Sequence, residues 1–137
     1  KRLMELMQDA IQTHVYTIYF FLCIMLFNLY SVLSQKNFIS LAKILKFMTP
    51  LYHLTNAIVI YTGTIVAFYA QHFSLTIALM IPASIFLLVI EIKRYKKMRV
   101  IKSEQIELQN DFYKYAKKIY IIEISVLIFV YAISKVF

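Results

Sequence analysis

The sequence predicts an all-α polytopic membrane protein: a four-transmembrane-helix bundle with a cytoplasmic helical hairpin extending between helices three and four. Three observations predict it. Apolar stretches at about residues 11–33, 49–70, 74–92 and 119–136 each approach or exceed the ~20 residues needed to cross a bilayer. Hydrophobic residues make up 61% of the 137-residue chain, and mean hydropathy is +0.70, more apolar surface than a soluble core of this size hides. Almost all positive charge falls in the first and third connections between the stretches.

That charge sets the expected orientation. Lys36, Lys43 and Lys46 separate the first two spans. Lys93, Arg94, Lys96, Lys97, Arg99, Lys102, Lys114, Lys117 and Lys118 separate the last two, while the opposite side holds Lys1, Arg2 and Lys135. Positive loops stay cytoplasmic, so both termini and the turn at 71–73 are expected outside, in a bacterial inner membrane. Lysine-rich, AT-biased composition suggests the bacterial source. The net charge of +8 sits where topology requires it, which argues against nucleic acid and for anionic lipid headgroups as the partner of the basic segments.

Span one (11–33) has too long an apolar run for a cleaved signal and is expected to be retained. Cys23, the sole cysteine, allows neither an intrachain disulfide nor a multi-cysteine metal site. Span two (49–70) is expected to open with Thr49 as N-cap and Pro50 at the first helical position, after a separate short surface helix over 36–47. Span three (74–92) carries Pro82, where a kink is expected. Beyond it, Ile101, Leu108, Phe112, Tyr115 and Ile119 recur at nearly 3.5-residue spacing, which predicts the hairpin, with its break at Ser103-Glu104 or at Asn110-Asp111. Span four (119–136) continues that helix back through the bilayer.

Each span carries a polar or small-residue stripe at spacings of three, four or seven, one side of a helix. His14, Thr17, Asn28 and Ser31 mark span one; His53, Asn56, Gly63, Ala67 and Ala70 mark span two. Thr76, Met80, Ser84 and Glu91 mark span three, and Tyr120, Glu123 and Ser134 span four. Polar groups in hydrocarbon need partners, so the stripes are expected to face one another. Gly63 and Ala67 form a small-xxx-small pair suited to close helix packing.

Alternating span direction places Asn28, His53, Asn56, Glu91 and Glu123 at one depth, in the inner half. This inner polar cluster is the candidate site, because a carboxylate within the bilayer costs about 2.5–3.5 kcal/mol and commonly marks a pathway or ligand site. Glu91 can alternatively reach water or its neighbours Lys93 and Arg94. Glu123 can pair with His53, Lys117 or Lys118. His53 and His72 are separated by roughly 28 Å along one helix and cannot share a ligand. His14 is the better candidate for a single haem contact, imidazole being a common axial ligand. No HExxH, phosphate-cradling glycine loop or nucleophile elbow occurs, so the sequence marks no catalytic or metal site.

A histidine near the start of span one (Ile11-Gln12-Thr13-His14-Val15), Met48-Thr49-Pro50 opening span two, Glu123 in the last span and the ending Lys135-Val136-Phe137 together resemble the HemJ-type protoporphyrinogen oxidase and CopD-like four-helix membrane families. The resemblance implies a four-helix membrane fold and, at His14, a haem contact. The arginine of that family's first span and the lysine of its third have no counterpart here. The expected function is a non-enzymatic accessory or interaction role, with a membrane-protein partner or a homo-oligomer. Its alternatives are haem binding with tetrapyrrole oxidation, and a small channel or proton-coupled transporter using Glu123 and His53.

Overall fold

The structure, a computed structural model, describes residues 2–70, 75–102 and 104–136. They form four helices, α1 (Arg2–Ser34), α2 (Phe38–Ala70), α3 (Leu75–Arg99) and α4 (Ile106–Val136), with no strand among the described residues. The all-helical expectation holds. By length and composition α1 and α2 can cross a membrane: Met4–Ser34 has mean hydropathy 1.8 and Phe38–Tyr69 has 1.3. The turn predicted at 71–73, with His72, lies outside the described residues.

In α1 the buried positions are His14, Ile18, Phe21, Ile24, Met25, Asn28, Ser31 and Val32, which lie along one side of the helix. Tyr16, Phe20, Phe27 and Tyr30 lie on the other faces and are exposed, as is Cys23.

Helix α2 corrects the sequence reading. No separate helix precedes Pro50; one helix runs through it. Asn37 caps that helix, its Oδ1 accepting from the Ile39 amide at 2.9 Å and its carbonyl from the Leu41 amide at 3.1 Å. Thr49 is therefore no cap, and its hydroxyl donates back to the Leu45 carbonyl at 2.7 Å. An interior proline costs about 3 kcal/mol. Phe38, Leu41, Leu45 and Met48 are all buried along one side of the preceding turns. Burying side chains of this kind is worth about 1.5–3 kcal/mol each, so packing outweighs the proline. Pro82 likewise lies inside α3 without ending it.

The chain reverses between Arg99 and Ile106, in agreement with the Ser103-Glu104 alternative; Ser103 itself is outside the described residues. Gln105 organises the turn: its Oε1 accepts from the Lys102 amide at 2.8 Å, and its carbonyl starts α4 by accepting from Gln109 at 3.0 Å.

Each helix packs against its sequence neighbours, and α4 closes the ring against α1. The core has two parts stacked along the bundle. One gathers Ile18, Phe21, Met25, Tyr52, Leu87 and Leu127. The other gathers Val32, Phe38, Leu45, Met98, Phe112 and Tyr120, at the end where the lysines cluster. The hairpin extension is thus packed onto the ends of α1 and α2.

Candidate functional site

At the junction of the two core regions lies a buried charged network. Glu91 and Arg94, one helical turn apart on α3, form an ion pair through Arg94 Nε and Glu91 Oε1, and both residues are 0% exposed. Arg94 Nη2 donates to Thr49 Oγ1 of α2 at 2.8 Å, and Nη1 points at Met98 Sδ at 3.6 Å. The guanidinium also lies over the Tyr120 ring, 5.6 Å from its centroid. Tyr120 donates its hydroxyl proton to Glu91 Oε1 at 3.2 Å. On α4, Glu123, also 0% exposed, accepts a hydrogen bond from Tyr52 at Oε1. Neither Oε2 has a hydrogen-bond partner among the described residues.

Two expectations are corrected here. Arg94 is not a solvated loop charge. Every other basic residue of the two connections is exposed, but Leu87, Glu91, Arg94 and Met98 recur on one side of α3, and that side is internal. Glu91 accordingly does not reach water. Among the described residues Glu123 has no ion pair or hydrogen bond with His53 or with the lysines at 117 and 118; its hydrogen-bond donor is Tyr52.

The predicted inner cluster is only partly assembled. Glu91 and Glu123 are both buried in the network, joined to it by Tyr120 and Tyr52 respectively. His53 is half-buried, its ring edge-on to Tyr52 at 5.7 Å, within electrostatic range of Glu91 and Arg94. Asn28 is buried, but among the described residues no hydrogen bond joins it to the carboxylates, and its Oδ1 is unpartnered. Asn56 stands one turn beyond Tyr52 and faces a different feature.

That feature is a cavity of about 510 Å³ between the helices, lined mainly by apolar groups such as Ile18, Phe21, Leu87 and Leu127. Its polar lining includes His14 and Asn56, both buried, together with Thr64, Ser84 and Tyr131. Met80 and Ser84, two members of the predicted α3 stripe, also line it, and Ala67 does so from α2. Thr76, of the same stripe, is among the residues whose side chains are not described.

His14 is held in one orientation. Its Nδ1 lies 2.7 Å from Thr62 Oγ1, and Thr62 can donate its single proton to the Ile58 carbonyl at 2.9 Å. Thr17 donates its own proton to the His14 carbonyl at 2.6 Å. With Thr62 donating to the Ile58 carbonyl, the imidazole proton sits on Nδ1 and Nε2 is an acceptor. With Thr62 donating to Nδ1, Nε2 carries the proton. In both tautomers Nε2 is buried and has no partner among the described residues. Asn56 Nδ2 makes a long contact to the Ser84 carbonyl at 3.5 Å, and its Oδ1 is unpartnered as well. Gly63 admits the imidazole rather than a neighbouring backbone: a Cβ there would lie 3.0 Å from His14 Cε1 and 3.4 Å from Nε2.

Sequence reasoning missed Tyr52 in this site and assigned Thr49 to a cap; it offered Arg94 as a neighbour of Glu91, and the structure makes that ion pair buried. The signal was present in α2, where Met48, Thr49, Tyr52, Asn56, Val59 and Thr62 are buried at three- and four-residue spacing, one residue out of phase with the stripe drawn through His53. Among the described residues no group of three or more His, Cys, Asp or Glu could hold a metal ion. No protein-family model, curated protein or solved structure matches this chain.

Proposed function

We propose that this chain is a four-span membrane protein that binds a small, mostly apolar molecule carrying hydrogen-bond donors, an accessory role rather than a catalytic one. The observation that carries the proposal is the apolar cavity of about 510 Å³, whose wall includes His14, fixed by Thr62, and Asn56. A buried acceptor left without a donor costs about 1–3 kcal/mol, and a bound hydroxyl or N–H recovers it. Asn56, which also lines the cavity, carries a second acceptor, Oδ1, without a partner among the described residues. The cavity's size lies within the roughly 300–1,000 Å³ of ordinary small-molecule sites.

Four spans are supported by the outer surface. Besides α1 and α2, helix α3 exposes Ile81, Ile85, Phe86 and Val89, and α4 exposes Ile121, Ile128 and Phe129. Apolar surface this extensive on a soluble monomer would be an aggregation site, whereas lipid covers it without cost. The lysine-rich end then faces the cytoplasm and its anionic lipid headgroups, with both chain ends outside. That arrangement leaves the lipid-facing surface available to a homo-oligomer or membrane-protein partner.

A dihydroxynaphthalene probe tests the binding. With 2,6-dihydroxynaphthalene and its dimethyl ether, followed by tyrosine fluorescence in nanodiscs, the diol is expected to bind at least about 10-fold tighter, because the ether leaves both acceptors unmet. Equal affinities would overturn the assignment of ligand class.

Haem is the second reading, favoured by the same histidine: His14 Nε2 would hold the iron, and haem would supply electron-transfer chemistry. The described cavity lining contains no Arg or Lys to meet the propionates, which favours the uncharged ligand. Haem added to purified protein would give a Soret band sensitive to His14→Ala under this second reading alone.

A further inference from the structure

The charged network contains an imbalance that its own side chains do not resolve. Glu91 and Glu123 offer two carboxylates against one guanidinium, Arg94, and all three residues are 0% exposed. Every hydrogen bond to the pair arrives at an Oε1 atom: Arg94 and Tyr120 on Glu91, Tyr52 on Glu123. Both Oε2 atoms are buried and without a donor among the described residues, and the Tyr52 hydroxyl that donates to Glu123 lies 3.5 Å from the Leu87 carbonyl, one turn before Glu91. Two ionised carboxylates in that position would repel, and the network would carry an uncompensated buried negative charge.

We propose that Glu91 and Glu123 together form a proton-binding site that holds a single proton. One shared proton meets both requirements at once. It supplies the missing donor, and it brings the network to neutrality against Arg94. The groups facing the pair come from each packed element. Helix α2 contributes Tyr52, with His53 in electrostatic range; α3 contributes Arg94; α4 contributes Tyr120. Helix α1 brings the Phe21 ring, 4.8 Å from that of Tyr52, and its buried histidine lies two turns further along the helix. The site abuts the ligand cavity, since Leu87 and Leu127, each one turn from a carboxylate, line it. The proton site rests on the charge count and the donor pattern, and stands whether or not the cavity binds the proposed ligand.

The test is infrared difference spectroscopy of the purified chain in nanodiscs at neutral pH, in H2O and D2O. All the other Asp and Glu residues, Glu5, Asp9, Glu104, Glu107 and Asp111, are exposed and contribute carboxylate bands. The wild type is expected to show one protonated-carboxyl C=O band per chain, shifted in D2O. Charge balance makes a sharper demand. Glu91→Gln and Glu123→Gln should each abolish the band completely, because one remaining carboxylate is neutralised by Arg94. Either substitution also supplies an amide donor in place of the proton, so helical content should be retained; if one variant misfolds, the other carries the test. No band in the wild type, a band of undiminished intensity in a folded single variant, or a band that sodium titration removes would each overturn the proposal, the last by showing a metal-cation site.

Discussion

Arg94→Met is expected to destabilise the protein by about 3–5 kcal/mol, the usual consequence of removing one partner from a buried ion pair. The loss has three sources in the structure. Glu91 loses its counter-charge, the Thr49 hydroxyl loses the donor at 2.8 Å, and the Tyr120 ring loses the cation above it. Arg94→Lys should fall between, because an ammonium keeps the charge but cannot span Glu91 and Thr49 with a planar fork. Reversible unfolding in mixed micelles, followed by helicity, measures the series. Adding Glu91→Gln to Arg94→Met should recover at least about 1 kcal/mol, a coupling within the range for residues in direct contact. A solvated loop arginine would give a change within about 0.5 kcal/mol and no such coupling. The same comparison distinguishes Arg94 from Lys93, Lys96 and Lys97, which are exposed and adjacent in sequence.

Gly63→Leu should abolish binding in the cavity, lowering affinity for the diol by at least about 100-fold, or about 2.7 kcal/mol. The substituted side chain enters the space that His14 occupies, since even a Cβ meets the imidazole at 3.0 Å. Gly63→Ala is a finer probe. Alanine favours the helix by about 1 kcal/mol, but the ring must yield by a few tenths of an ångström, against its bond to Thr62. Stability is therefore expected to change little while affinity falls. Calorimetric titration alongside thermal unfolding separates the two effects; unchanged affinity in Gly63→Leu would place the ligand elsewhere.

Much of the architecture is legible in the sequence because helical periodicity and charge placement are local signals. A helix break between α3 and α4, of which spacing left two alternatives, and the internal face of α3 through Met80, Ser84 and Glu91 follow from spacing. The errors have identifiable causes. Thr49-Pro50 has the form of a helix start, yet buried residues before it carry the helix through. Arg94 sits within a run of solvated basic residues, and only its phase relative to Leu87 and Met98 marks it as internal. Tyr52 was passed over for its neighbour His53, although a tyrosine that packs on Phe21 and donates to Glu123 is better suited to the interior. The contact of Tyr52 with Glu123 depends on how two helices rotate about their axes, which sequence spacing alone does not specify.

The most direct measurement of whether the bundle encloses a ligand site is native mass spectrometry of the chain released from nanodiscs. The wild type is expected to carry one apolar molecule per chain, displaced by 2,6-dihydroxynaphthalene and retained by Glu123→Gln. Gly63→Leu is expected to carry none. An adduct of equal occupancy in wild type and Gly63→Leu, or one that the diol does not displace, would contradict the assignment of the His14 cavity as the binding site.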